Sequence, residues 1–274
     1  MDPIAFTKMS GSGNDFILID NRDRVVDEAQ LPRFITGICR RRTSVGADGV
    51  ILIEPSASAD FRWRFFNSDG SPAEMCGNGA RCAARFAFIH GIAGADMRFE
   101  TEAGVIHARV NEPQVRVKLT DPHGLRQTVR LELASGPLQV SSINTGVPHV
   151  VVMTSDLENT DVRGLGLEIR RHPEFAPAGT NVNFIRVDSD GGIAIRTYER
   201  GVEDETLACG TGSVAGALVA AVTLSLKSPL RVRTRSGETL TVHFRRDGGR
   251  FHDIYQEGCA RLIYAGHLCE EAWR

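Results

Sequence analysis

The chain has 274 residues, 42% hydrophobic and 24% charged, the composition of an ordinary globular protein long enough for two domains. Its 32 basic residues nearly balance 34 acidic ones, so charge points to neither a nucleic-acid nor a membrane partner, and Arg40-Arg41-Arg42 reads as a solvated turn. The six cysteines are too few for a disulfide scaffold, and with no Cys-x-x-Cys and no histidine pair at zinc-ligand spacing no metal is expected.

In chain order, Met1-Asp2-Pro3-Ile4 lacks a basic segment leading into a long apolar stretch, so no signal peptide is expected. Gly-bounded runs of β-branched and aromatic residues predict strands at 16–20, 50–53, 61–66, 98–100, 105–110 and 115–119. Between them, Ala80, Ala83, Ala84, Ala87 and Phe88 follow the i, i+3, i+4, i+7, i+8 spacing of a helix that Gly91 can stop. The polar cluster Thr120-Asp121-Pro122-His123-Gly124 predicts a boundary between domains at 1–120 and 121–264. Beyond it the strand signals recur at 150–153, 182–187, 193–198, 230–234, 240–244 and 261–264. A second helix over 213–225 is apolar nearly all round, so it has to be enclosed. The run 214–226 is too short and interrupted to span a bilayer, which leaves the cytoplasm as the expected compartment. Residues 265–274 fall outside the pattern and are expected to return to the first domain.

The two halves are copies. Met75-Cys76-Gly77-Asn78-Gly79 and Ala208-Cys209-Gly210-Thr211-Gly212 lie 133 positions apart, and one ungapped offset also carries Gly13 onto Gly146, Gly46 onto Gly179, Phe65 onto Tyr198 and Gly104 onto Gly237. The expected fold is α+β: two pseudo-symmetric lobes, each a mostly antiparallel, barrel-like sheet wrapped around a central helix. Lobes facing each other by pseudo-symmetry would bring Cys76 and Cys209 together across the space between them.

Each cysteine precedes a Gly-x-Gly that opens a helix. Bare backbone N–H groups there can approach an anion, and a helix N-terminus favours a thiolate. Two such ends would grip one carboxylate and hold a sulfur near each face of its α-carbon. Negative charge pushed into that carboxylate when the proton leaves would meet preorganised donors. One cysteine must be thiolate while the other is thiol, so the pair should titrate as a unit. This is the chemistry of a racemase or epimerase without an iminium-forming cofactor. Cys39, Cys82, Cys259 and Cys269 read instead as buried free thiols. A phosphate loop at Gly210-Thr211-Gly212-Ser213 lacks its Gly-Lys-Ser/Thr ending, and Gly11-Ser12-Gly13 precedes a strand where a dinucleotide fingerprint follows one.

Phe66-Asn67-Ser68-Asp69-Gly70 leading into Cys76-Gly77-Asn78-Gly79-Ala80-Arg81-Cys82 resembles diaminopimelate epimerase, as does Tyr198-Glu199-Arg200-Gly201 leading through Glu205-Thr206 into Ala208-Cys209-Gly210-Thr211-Gly212. Gly13-Asn14-Asp15-Phe16 and Gly46-Ala47-Asp48-Gly49 match too, so the resemblance spans nearly the whole chain. It implies interconversion of LL- and meso-diaminopimelate without pyridoxal phosphate, on the path to lysine and the bacterial wall, by a homodimer. By position, Cys76 and Cys209 would be the acid/base pair. Gly77, Asn78, Gly210 and Thr211 would offer N–H groups to the reacting carboxylate. Asn14, Asn67, Asn181, Glu199 and Arg200 would hold the amino groups and the distal end. His149, with Glu199, would tune the thiols, and Tyr264 would sit at a dimer contact.

Some of these have a plainer reading: turn asparagines for Asn14 and Asn181, a surface ion pair for Glu199-Arg200, a packed core histidine for His149, and a strand-end core tyrosine for Tyr264. Val147 and Gly49 depart from family members that carry asparagine and glutamine there. The nearest rival is a proline racemase or hydroxyproline epimerase, whose motifs typically carry histidine at the position of Asn78 and lack the Glu199-Arg200 lead-in. A non-enzymatic redox or ligand-binding lobe pair is the other.

Overall fold

The computed structural model describes residues 3–274, so Met1 and Asp2, part of the stretch read above for a signal peptide, lie outside the described residues. Two compact units emerge: the chain up to Val117 together with Gly258–Arg274, and Lys118–Glu257. The 120–124 cluster lies inside the second unit, where His123 and Gly124 already begin a strand, and the returning tail starts at Gly258.

The first unit runs β1 (Ile4–Gly11), β2 (Asn14–Asp20), α1 (Leu31–Cys39), β3 (Gly49–Glu54), β4 (Phe61–Asn67), β5 (Pro72–Ala73), α2 (Gly77–Ile89), β6 (Asp96–Thr101), β7 (Gly104–Asn111) and β8 (Gln114–Lys118). Neighbours pair antiparallel except β2–β3 and β4–β6, which are parallel. Alternation sends Ile17, Ile19, Val50 and Leu52 into a core with Phe34, Ile35 and Ile38 of α1. The helix α2 packs on β1, β2, β3 and β7, burying Ala80, Ala83, Ala84 and Ala87 completely. Phe88 is only half-buried; Phe86 takes the inward place expected of it. Gly91 has φ +65° and its N–H returns to Phe88 O at 3.1 Å, which closes the helix as its sequence predicts.

The second unit runs β9 (His123–Leu133), β10 (Gly136–Asn144), β11 (Pro148–Met153), α3 (Val162–Arg170), β12 (Asn181–Val187), β13 (Ile193–Glu199), β14 (Asp204–Thr206), α4 (Gly210–Leu224), β15 (Leu230–Arg233), β16 (Thr239–Asp247) and β17 (Arg250–Cys259). Here β11–β12 and β13–β15 are the parallel pairs, counterparts of β2–β3 and β4–β6. Strands β10 to β13, β15 and β16 surround α4, whose residues from Gly212 to Ala221 are all buried, as its all-round apolar sequence demands. The opposite face, with Val150, Val152, Val182, Phe184 and Tyr198, packs on Val162 and Ile169 of α3. Apolar cores on both faces explain why these strands read as nearly continuous apolar runs.

The last strand, β18 (Arg261–Leu268), pairs antiparallel with β1. Its counterpart in the first repeat, β9, pairs with β10. Each repeat thus ends in a strand that completes the other unit, which is how the last strand of the chain comes to lie in the first unit. The repeat register holds at the backbone level: Gly13 and Gly146, Gly46 and Gly179, and Gly104 and Gly237 all have positive φ.

Candidate active site

In the first unit Cys76 is the N-cap residue of α2, with extended backbone (φ −143°, ψ 116°), and its carbonyl accepts the first helical bond from Ala80 N at 2.8 Å. Gly77, Asn78 and Gly79 form the opening turn, whose N–H groups have no carbonyl within the helix to bond. Asn78 is buried; its Nδ2 donates to Asn14 Oδ1 (2.8 Å) and its Oδ1 accepts from Arg81 Nη2 (2.8 Å). Asn14 Nδ2 in turn donates to Asp48 Oδ2 (3.0 Å). Asp48 and Asp15 are held together by Arg41, at 2.7 Å from each, and Lys8 lies 2.8 Å from Asp15. Burial raises the Asp15 pKa, but the bonds from Arg41 and Lys8 overcome it and hold the carboxyl below the usual value. Arg81, fully buried, also donates to Ser12 Oγ at 2.7 Å.

Asn67 lies on β4 opposite Gly49 of β3, exposed, with Nδ2 donating to Ser71 Oγ at 3.0 Å. Gly49 has no space for a side chain: an added Cβ would sit 2.5 Å from Phe66 O and 2.7 Å from the Phe65 ring.

In the second unit Cys209 occupies the corresponding N-cap position of α4 (φ −114°, ψ 117°), and Ser213 N bonds its carbonyl at 2.9 Å. The sulfur lies 3.6 Å from Thr211 Oγ1. The opening turn is braced from outside: Gln256 Nε2 donates to Gly210 O (2.8 Å) and Thr145 Oγ1 to Thr211 O (3.0 Å). Asn181 is buried, its Nδ2 on Pro148 O (3.1 Å) and its Oδ1 accepting from Arg200 N (2.9 Å). Arg200 Nη1 donates to Ala178 O (3.1 Å) and Thr206 Oγ1 to Glu199 Oε2 (2.8 Å), so these two neighbours take different partners and the surface ion-pair reading fails. Burial raises the Glu199 pKa above the usual carboxylate value, with the Thr206 bond acting against it. His149 is buried beside Asn183, and burial pushes its pKa down to about 3, so the ring is neutral.

The candidate residues therefore fall into two sets: Cys76, Gly77, Asn78 and Asn14 at the start of α2, with Asn67 one strand away, and Cys209, Gly210, Thr211, His149, Asn181, Glu199 and Arg200 around the start of α4. Asn14 and Asn181 brace other side chains and loops through their amides, which goes beyond a turn role. Tyr264 belongs to neither set. The residue is 44% exposed and its ring meets Phe6 edge-on at 5.8 Å, so it is not the core tyrosine that its strand position also allowed. Of the other cysteines, Cys39 and Cys82 are buried, and burial pushes both thiols up to about 12. Cys259 is half-buried and Cys269 exposed at the end of β18, correcting the expectation that both are buried.

Sequence reasoning missed the supporting residues Asp48, Arg81, Thr145, Asn183, Thr197 and Gln256. One signal was available: Asn181 and Asn183 alternate with Val182 and Phe184 at the buried start of a strand, and amides buried in an apolar run need specific partners. Among the described residues no helix is long and apolar enough to cross a membrane.

The family model for diaminopimelate epimerase matches residues 6–124 and 141–263. The chain is 48% identical to the diaminopimelate epimerase of Aquifex aeolicus, over 97% of this chain and 98% of that one. It is 42% identical to that of Archaeoglobus fulgidus, over 97% and 96%. Among solved structures, a Bacillus anthracis phenazine biosynthesis protein of the PhzF family superposes with a TM-score of 0.76 at 17% identity, covering 98% of this chain and 100% of that one. A probable proline racemase from Agrobacterium radiobacter gives 0.68 at 18%, covering 97% and 93%. At these identities the two structures speak for the fold alone.

Proposed function

The chain belongs to the diaminopimelate epimerase family, and from that premise we propose that it interconverts LL- and meso-diaminopimelate by a two-base mechanism without an iminium-forming cofactor, supplying lysine and the bacterial wall. One observation carries the reading: the two cysteines hold the same station in the two repeats, each the N-cap of a helix that opens with Gly-x-Gly.

In this reaction the thiolate of one cysteine takes the α-proton, leaving the electron pair on the α-carbon and its carboxylate. N–H groups of Gly77, Asn78, Gly210 and Thr211 bind that carboxylate and stabilise the added charge. The thiol of the other cysteine then delivers its proton to the opposite face, inverting the centre and exchanging the roles of the two sulfurs. The reading requires both thiols to reach one α-carbon. A helix N-terminus favours the thiolate at whichever position is deprotonated. Because Asn78 and Asn14 brace each other and Asn181 is tied to Arg200 N, the amides that hold the amino groups and distal end are preorganised before substrate arrives. Glu199 and Arg200 supply opposite charges for a zwitterionic end, and Asn67 an exposed amide. Neutral His149, with Glu199, sets the protonation balance of the thiols. Gly49 is closed to any side chain, so the glutamine that some family members carry there has no room here.

The reading extends to the cytoplasm as compartment and to a homodimer, for which the exposed run Leu262, Ile263 and Tyr264 offers an apolar contact. The test is turnover by reduced, purified protein of LL-diaminopimelate, with L-proline in parallel. Formation of the meso isomer is expected, with proline untouched. Turnover confined to proline would overturn the substrate assignment, and turnover of neither would overturn the reaction.

A further inference from the structure

Asn183 lies at the centre of β12, fully buried, between Val151 of β11 and Thr197 of β13 in the sheet register. Its side chain makes three contacts. Nδ2 donates to Val150 O at 2.9 Å and faces His149 Nδ1 at 3.1 Å, and Oδ1 accepts from Thr197 Oγ1 at 3.0 Å. A backbone carbonyl can only accept, so Val150 O fixes which end of the amide points toward it. That end is the NH2, and its second hydrogen points at His149 Nδ1. The ring nitrogen must accept, which places the hydrogen of the neutral imidazole on Nε2. Nε2 is buried and has no partner among the described residues.

The same amide touches the start of α4. A Cβ built on Gly212 would collide with Asn183 Oδ1 and lie 3.2 Å from Cys209 Cβ. One buried amide therefore connects Thr197, the histidine and the turn that follows the second cysteine. An unpaired N–H costs free energy in a buried site unless something accepts from it. An incoming carboxylate or a thiolate is such an acceptor.

We propose that Asn183 is a positioning residue that locks His149 as an Nε2–H donor, so that the histidine hydrogen-bonds to negative charge in the site and is not a proton-accepting base. The consequence for turnover rests on the epimerase reading; the tautomer itself is a property of the resting chain. Arg200 is the charged group that bears on His149, and its positive charge also disfavours an imidazolium. Thr197, which orients Asn183, is part of the same device.

The test begins with 15N NMR of the wild-type chain labelled at histidine. The expected spectrum has His149 protonated at Nε2 and bare at Nδ1, unchanged across roughly pH 5.5 to 9. A proton on Nδ1, or titration within that range, would overturn the proposal. Asn183→Asp keeps the size of the side chain but replaces the donor with an acceptor. It should move the ring proton to Nδ1, lower kcat about 100- to 1,000-fold as loss of one donor to a developing negative charge does, and change KM only a few-fold. Unaltered kcat with a moved proton would also overturn the proposal. Thr197→Val removes only the bond that Oδ1 accepts and should retain the Nε2 proton, and if Asn183→Asp fails to fold the wild-type spectrum across the pH series decides the tautomer. Wild-type protein with the expected tautomer but no epimerase activity would support the assignment while counting against the reaction.

Discussion

Asn78 Nδ2 donates a 2.8 Å hydrogen bond to Asn14 Oδ1, joining the first turn of α2 to the start of β2. The bond continues to Asp48 through Asn14 Nδ2 and to Arg81 through Asn78 Oδ1, so two expected substrate contacts share one half-buried brace. Asn14→Ala strips a partner from both Asn78 and Asp48. It should destabilise the fold by about 1–3 kcal/mol in urea unfolding and lower kcat/KM with it. A variant unchanged in both would show that the brace has no role.

The cysteines divide by environment. Cys76→Ser and Cys209→Ser should each lower turnover by orders of magnitude with the urea midpoint nearly unchanged, because a serine hydroxyl carries protons poorly near neutral pH. Cys39, whose thiol burial pushes up to about 12, should resist alkylation in the folded chain, and exposed Cys269 should react at once. Mass-spectrometric mapping of labelled thiols checks the order. Rapid labelling of Cys39 would contradict the burial argument.

The two Gly-x-Gly turns differ in tolerance. A methyl at Gly79 would lie 3.3 Å from Ile51 Cδ1 and 3.5 Å from the Trp63 ring, and the end of an isoleucine can shift. At Gly212 it would strike the amide of Asn183, which is held by its own bonds. Gly212→Ala should cost about 1–3 kcal/mol and most of the activity, and Gly79→Ala considerably less. Equal losses, read by thermal melts and initial rates, would contradict this difference.

His149 carries a pH signature. Its folded pKa is depressed to about 3 from 6.5 by burial, so the folded state binds fewer protons than the unfolded between those values. Its contribution to stability is complete above pH 6.5 and is lost as pH falls toward 3, at most about 5 kcal/mol. Glu199 acts oppositely: with its pKa raised above 4.5, its share is complete below that value and is lost as pH rises through the folded pKa. Urea midpoints at pH 4.5 and 7 should therefore separate less in His149→Gln than in the wild type. An equal or larger separation would exclude a buried neutral histidine.

The duplication made much of this architecture legible. The strands around Ile51, Phe184 and Ile195 announce themselves because both faces are buried, and α4 because it is apolar all round. Strands β9 and β10 escaped because much of their surface is exposed and polar, with Arg126, Gln127, Arg130 and Glu132 in one of them. Helix α1 had its signs in Pro32 near the start and in Leu31, Phe34, Ile35 and Ile38 at helical spacing. Helix α3 hides behind Gly164 and Gly166, which weaken helix propensity; Gly166 is there because a Cβ would lie 2.5 Å from Tyr198 Cβ. In the site, the cysteines and their glycines were readable as motifs. The braces behind them, Asp48 under Asn14 and Asn183 beside His149, depend on which strands lie side by side, and spacing along the chain does not carry that information.

The most direct test of the two-base account is the fate of the α-proton at initial rate in heavy water. Reduced protein is given LL-diaminopimelate without pyridoxal phosphate, and substrate and product are read by proton NMR before equilibrium is approached. Two distinct thiols, one abstracting and one delivering, predict meso product carrying deuterium at the inverted carbon while the remaining LL substrate keeps its protium. Deuterium entering unreacted substrate as fast as product forms would mean a single group working on one face, and no exchange at all would mean that the cysteine pair does not carry protons.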